Sequence, residues 1–186
     1  SGEKTYITGA DVADLMLLVC RTTPAEELAE QGRSKVWGLS LFLVDPKTEG
    51  IEIRPIPTRG IEGAGQFTVH LDNVHVPADQ LIGTENEGAK ALFNSLNPER
   101  ILAAATALGM SEHLIQTAVD YARERCLFGD RTIASYQAIQ HPLAEAKIQV
   151  EAARLLTYRA AWSFDQAHDP ARIGMNANMA KFLAAD

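Results

Sequence analysis

Even the longest apolar runs in this sequence, such as Leu15 to Cys20, fall far short of the roughly 20 residues that a membrane-spanning helix needs, so no membrane span is expected. Basic runs are equally scarce. With 17 Lys and Arg against 24 Asp and Glu, the net charge is -7, and no stretch could neutralise a phosphate backbone, which argues against nucleic acid as a partner. The two cysteines, Cys20 and Cys126, lie far apart and outside any CxxC spacing, which supports neither a disulfide framework nor a zinc site. Reduced thiols fit a cytoplasm, or a mitochondrial matrix if the source is eukaryotic. Five histidines (His70, His75, His113, His141 and His168) include no HExxH or comparable spacing, so no metal is expected. An initiating methionine is also missing. The opening SGEKTYITG reads as a turn entering a strand and the closing KFLAAD stops inside a helical pattern, which predicts a piece of a longer protein.

The composition, 46% hydrophobic and 22% charged, is that of an ordinary globular chain. Its first eighty or so residues have strand character. Thr5 to Thr8 is β-branched and aromatic, Leu15 to Thr22 is nearly continuously apolar, Trp37 to Val44 alternates, and further strands fit Ile51 to Ile56 and Gln66 to Val76. Turn signals separate them: Thr8 to Asp11, Pro24 to Lys35 with a short helical turn over Ala25 to Gln31, Asp45 to Gly50, and the glycine-rich Arg59 to Gly65. No crossover helix intervenes, so an antiparallel barrel or sandwich is predicted over residues 1–84.

Beyond Pro77 and Gly83 the period changes from two to 3.6. Gly88 to Gly129 reads as one long amphipathic helix with a glycine stop, interrupted by Pro98, whose missing N–H costs roughly 3 kcal/mol or kinks the helix. Glu99 and Arg100 stand beside that interruption. A second helix is predicted from about Ala134 to Ala167, with Pro142 as an early mild kink and a seam of Ile139, Leu143, Ala146, Val150, Ala153, Thr157, Ala160 and Phe164. A third begins with Asp169 as cap and Pro170 in its first position. The predicted class is therefore α+β, with an antiparallel helix bundle over residues 85–186.

Several short pieces, in order, carry a resemblance. They are Gly2-x-Lys4-x-Tyr6-Ile7-Thr8-Gly9-Ala10; Leu71 to Pro77 with Leu81-Ile82-Gly83 and Asn86-Glu87-Gly88; Glu99-Arg100; Arg125-x-x-Phe128-Gly129; and Gln137 with Pro142-Leu143-Ala144. Together they resemble the acyl-CoA dehydrogenases over essentially the whole chain. The resemblance implies most of a middle β domain and about three helices of a C-terminal four-helix domain. The N-terminal helical domain, the first strands and the last helix or two would lie outside this sequence.

It also implies a chemistry. Such enzymes bind FAD where their domains and a neighbouring subunit meet, remove the α proton of an acyl-CoA thioester with a carboxylate, and pass the β hydrogen to flavin N5 as hydride. In some members the base is a Glu at the position of Glu99; in most it lies near the C-terminal end, outside this sequence. Arg100 resembles the arginine of the substrate pocket. Tyr6, where relatives usually carry Trp, and Thr8 match residues that line the flavin, by packing and by a hydrogen bond to its N5/O4 edge. Arg125, Phe128 and Gln137 match residues that reach the partner subunit's FAD, Arg125 at the pyrophosphate. As plain residues, Glu99 is a helix-surface carboxylate paired with Arg100 or Lys90, Tyr-Ile-Thr is good strand sequence, and Arg125 is a cation at a helix C-terminus.

Two departures stand out. One residue more than in many relatives separates Gly129 from Gln137, at Asp130-Arg131, and Gly60-Ile61-Glu62-Gly63-Ala64-Gly65 replaces an Arg-x-Ser-type segment, which either admits a bulkier acyl group or makes a flexible turn. The implied partners are the acyl-CoA substrate, an electron-transfer flavoprotein, and further copies of the chain in a homo-oligomer built as a dimer of dimers. The alternatives are an acyl-CoA oxidase, a nitroalkane-oxidising relative, or a non-catalytic assembly module.

Overall fold

The computed structural model describes residues 1–60 and 63–186. Ile61 and Glu62 of the glycine-rich segment lie outside the described residues. The chain divides into two compact units, Ser1–Ala91 and Leu92–Asp186.

The first unit is a pair of three-stranded antiparallel sheets. β1 (Gly2–Thr8), β5 (Gln66–Leu71) and β4 (Ile51–Ile56) pair in that order, and β2 (Met16–Arg21), β3 (Leu39–Val44) and β6 (Leu81–Ile82) form the other sheet. Among the described residues no ladder joins the two, so the arrangement is an open sandwich and not a closed barrel. Alternation decides what lies inside: Phe67 and Val69 of β5 are buried with Ala10, and Ile7, Met16, Ile51, Ile53 and Leu71 pack on them. Burying each large aliphatic or aromatic side chain contributes roughly 1.5–3 kcal/mol. Lys4 crosses between the sheets, its Nζ donating to the carbonyl of Val19 at 2.8 Å. α1 (Ala25–Glu30) is the helical turn expected in the β2–β3 connection.

A polar knot holds the exit from this unit. Ser40 is fully buried, and its hydroxyl lies 2.7 Å from that of Thr22 and accepts from the Asn86 N–H at 2.8 Å. Thr22 and Thr23 donate to Asn86 Oδ1 at 2.9 and 2.8 Å. These bonds satisfy the polar groups that the turn into the long helix would otherwise strand.

In the second unit, α2 (Gly88–Glu124) runs through Pro98 and ends five residues before the expected glycine stop. The reason is local: residues 125–133 form a tight loop whose ends pair, Cys126 bridging Thr132 and the Ile133 N–H donating to the Arg125 carbonyl at 2.8 Å. α3 (Gln137–Asp165) starts after a 3-10 turn at Ile133–Ser135, and α4 (Pro170–Ala184) carries the expected cap, Asp169 accepting from the N–H groups of Ala171 and Arg172. The seam of α3 is buried at Val150, Ala153, Thr157 and Ala160, but Ser163 replaces Phe164 at its end. There the helix closes in a Schellman turn: the His168 N–H reaches the Ser163 carbonyl, that of Ala167 reaches Phe164, and Ala167 takes φ 48°. His168 Nδ1 then lies 3.1 Å from Ser163 Oγ, which draws that hydroxyl inward. Small side chains bring the helices close, with Ala104, Ala160 and Ala180 in one layer and Leu108, Val150 and Ala153 in the next.

Candidate functional site

The sites expected from the sequence occupy three places, one in the sandwich and two in the helical unit.

At the end of β1 the register slips. Lys4 pairs with Val69 and Ile7 with Phe67, so Thr5 and Tyr6 together oppose the single residue Thr68, a β-bulge. The extra residue forces Tyr6 into left-handed backbone at φ 59° and turns its ring outward, 72% exposed. Two residues on, Thr8 is exposed and accepts from Gln66 Nε2 at 2.9 Å. Its own proton makes only a 3.2 Å contact with Gln66 Oε1, and can turn to a better acceptor without breaking the strand pairing. An aromatic face and a hydroxyl thus stand side by side on a rigid edge.

The loop after α2 repeats the device. Phe128 takes φ 55° and Gly129 φ 94°, two successive left-handed residues that reverse the chain and leave the Phe128 ring 93% exposed. The Leu127 N–H closes the loop on the Arg131 carbonyl at 3.0 Å. Arg131 is anchored, its guanidinium 4.6 Å above the Tyr136 ring and its Nε donating to Ser135 Oγ at 2.9 Å. Arg125 is not: it is exposed, and its guanidinium has no hydrogen bond or ion pair among the described residues. Gln137, also exposed, is the first residue of α3, whose N-cap Tyr136 offers no side-chain acceptor to the opening N–H groups. One loop therefore presents a cation, an aromatic face and the positive end of a helix dipole, a set suited to a phosphate-bearing aromatic ligand.

The third place is the first half of α2. Glu99 is exposed, with no ion pair or hydrogen bond among the described residues. Arg100 is half-buried and bonds to Asn97, at 3.5 Å from Nη1 to Oδ1, so the expected Glu99–Arg100 pair does not form. Glu99 and Arg100 share a place, but they are not near the Arg125 loop. With 1.5 Å of rise per residue, the stretch of α2 from Arg100 to its end measures about 36 Å.

Cys20 does not join these places as a nucleophile. Burial pushes the Cys20 thiol above its ordinary value, partly opposed by the charge of Lys4, and holds it as the unreactive thiol. Among the described residues no group of His, Cys, Asp and Glu could hold a metal ion.

Two neighbours of the site are missing from the sequence reading. Gln66 meets Thr8 only because β1 pairs with β5, and nothing local signals a contact 58 residues apart. Asn97 was findable: it precedes Arg100 by three residues, the spacing of side-chain neighbours on a helix.

Both parts of the chain match a known protein family. Residues 1–74 match the family model for the acyl-CoA dehydrogenase middle domain, and residues 86–186 match the one for the C-terminal domain. Acyl-CoA dehydrogenase FadE12 of Mycobacterium tuberculosis is 38% identical over 185 residues, which is 100% of this chain and 45% of that protein. The structure of butyryl-CoA dehydrogenase from Megasphaera elsdenii superposes with a TM-score of 0.82 at 30% identity, over 100% of this chain and 45% of that one. That of PigA with FAD and proline gives 0.84 at 26% identity, over 99% of this chain and 45% of that one. The chain thus spans about half the length of the curated relatives it matches.

Proposed function

The chain belongs to the acyl-CoA dehydrogenase family, and from that premise we propose that it is part of an FAD-dependent enzyme that dehydrogenates an acyl-CoA thioester between its α and β carbons. On this reading residues 1–84 are most of the middle domain and residues 85–186 most of the C-terminal domain.

The observation that carries the cofactor is the backbone at Tyr6 and Phe128. Left-handed backbone at a bulky side chain costs of order 1–3 kcal/mol, and rings 72% and 93% exposed recover little of it by burial. Flat apolar faces held outward at such cost are suited to a flat ligand. FAD offers two flat ring systems joined by a diphosphate, and the unpaired Arg125 guanidinium suits the diphosphate.

FAD, when bound, supplies the acceptor for the β hydrogen, which leaves as hydride. The chain's own residues supply the rest. Glu99 takes the α proton, its carboxylate without an ion pair among the described residues. Arg100 lines the substrate pocket, Tyr6 packs on the isoalloxazine and Thr8 turns its hydroxyl to the ring edge. Arg125, Phe128 and Gln137 hold the FAD of a second copy, as the family resemblance implies, and their separation from Arg100 by about 36 Å of helix is compatible with that division. On the same resemblance the enzyme is a homo-oligomer, a dimer of dimers, with an electron-transfer flavoprotein taking the electrons onward. Among the described residues no helix is long and apolar enough to cross a membrane.

The deciding experiment is the visible spectrum of the purified protein before and after anaerobic addition of mixed acyl-CoAs. Flavin bands that bleach are expected; a protein that holds no flavin even after FAD is supplied overturns the reading. A second test separates strain from function. Tyr6→Gly removes an exposed ring and relaxes the left-handed backbone, which should stabilise the fold by about 1 kcal/mol while weakening FAD retention. Loss of stability together with undiminished FAD binding would mean that Tyr6 serves the fold.

A further inference from the structure

In the core of the helical unit, where α3 also buries Thr157 and Ser163, α2 and α4 bring two asparagines inside, Asn97 at 5% and Asn176 at 1% exposure. Neither is needed to fill space. Asn176 has no hydrogen-bond partner at either end of its amide, whereas Asn97 is engaged on two sides. Its Oδ1 accepts from Arg100 Nη1 at 3.5 Å, one turn along α2. On the other side α4 presents Gly174, where a Cβ would stand at ordinary contact distance, 3.5 Å from Asn97 Oδ1 and 3.9 Å from Nδ2, so the amide packs against α4 at this glycine.

We propose that Asn97 is a positioning residue for Arg100, seated against Gly174 and restraining the guanidinium by a neutral acceptor. The choice of an amide has a physical consequence. An arginine stem loses considerable rotamer freedom when its head is held, and an acceptor already buried and immobile makes that loss before a ligand arrives. A carboxylate at position 97 would grip the guanidinium harder but cancel its charge. The amide orders the head and leaves the whole charge for an anionic or carbonyl-bearing ligand. Among the described residues no carboxylate pairs with Arg100, as this role requires. The ligand named here rests on the proposed acyl-CoA chemistry; the ordering of Arg100 does not.

The test uses the flavin-loaded protein and S-butyl-CoA, a thioether that has no carbonyl and cannot be dehydrogenated. The 15N heteronuclear NOE of the Arg100 Nε–H, identified by its loss in Arg100→Lys, reports the order of the guanidinium. It should be that of a rigid group in the native protein and in Asn97→Asp, and fall to that of a free side chain in Asn97→Ala. Calorimetric titration should show S-butyl-CoA binding about tenfold weaker in both variants, the loss of one hydrogen bond's worth of ordering in Asn97→Ala and of net charge in Asn97→Asp. In an Arg100→Ala background Asn97→Ala should add no further loss. Asn97→Asp keeps the shape of the side chain and serves where alanine prevents folding.

An Arg100 equally ordered without Asn97, or an equal loss of affinity in the Arg100→Ala background, overturns the proposal. Asn176→Leu removes the unpaired amide two residues from Gly174 on α4 and should raise the thermal midpoint without changing affinity. A loss as large as that of Asn97→Ala would overturn the proposal by showing a general disturbance of this layer. If the native protein binds no S-butyl-CoA, the dehydrogenase reading fails, and the NOE alone decides whether Asn97 positions Arg100.

Discussion

Changing Glu99 to glutamine should leave FAD bound and slow acyl-CoA-driven bleaching by roughly 10³-fold, within the 10²–10⁴ that a positioned general base supplies. The substitution keeps the size of the side chain and removes only its ability to take a proton. Glu99 is exposed and unpaired among the described residues, so no buried partner is stranded by the change and the thermal midpoint should hold. Arg100 does not compensate the carboxylate, because its hydrogen bond runs to Asn97. Stopped-flow absorbance at the flavin maximum, under anaerobic conditions, reads the rate directly. Bleaching at the native rate would move the base to a carboxylate outside this sequence, the other position used in the family.

Gly50→Ala should cost about 3 kcal/mol or more of stability, a large share of the 5–15 kcal/mol typical of a folded protein. Two causes coincide there. Gly50 takes φ 87°, where any other residue meets its own carbonyl, and a Cβ at that position would overlap the carbonyl oxygen of Asp72. Backbone cannot swing aside as a flexible side chain could. The Gly50 carbonyl also accepts from the Asp72 N–H at 2.8 Å, so moving the two apart breaks the contact that starts the β4–β5 ladder. Urea titration followed by circular dichroism measures the loss. A contrasting variant is Gly109→Ala, inside α2 with nothing within 4 Å of the added Cβ, which should stabilise by about 0.5–1 kcal/mol through helix propensity. Equal effects of the two would show that glycine flexibility, and not the close approach of two strands, sets the response.

Much of the architecture is written in local chemistry. Period two in the strands, period 3.6 in the helices, and the Asp169-Pro170 start of α4 are properties of neighbouring residues, and short-range sterics and hydrogen bonds are enough to enforce them. Helix ends follow the bonds that their own turns make. α2 stops at Glu124 because residues 125–133 pair with one another, and α3 buries Ser163 in place of Phe164 because the turn into α4 folds His168 back on it. In both cases a bond within the turn outweighed the regular pattern.

The candidate site divides along the same line. Residue types and their order identified Tyr6, Thr8, Glu99, Arg100, Arg125, Phe128 and Gln137 as candidates through resemblance to the family. No pattern of residues could say that Tyr6 and Phe128 both stand in left-handed backbone or that Thr8 leans on Gln66. The sequence by itself determined the elements and the chemistry available, because both depend on the side chains and their immediate neighbours. Only the tertiary structure decided how those groups are aimed, because a bulge, a strand pairing and a buried amide each depend on residues far away along the chain or on packing that no single segment contains.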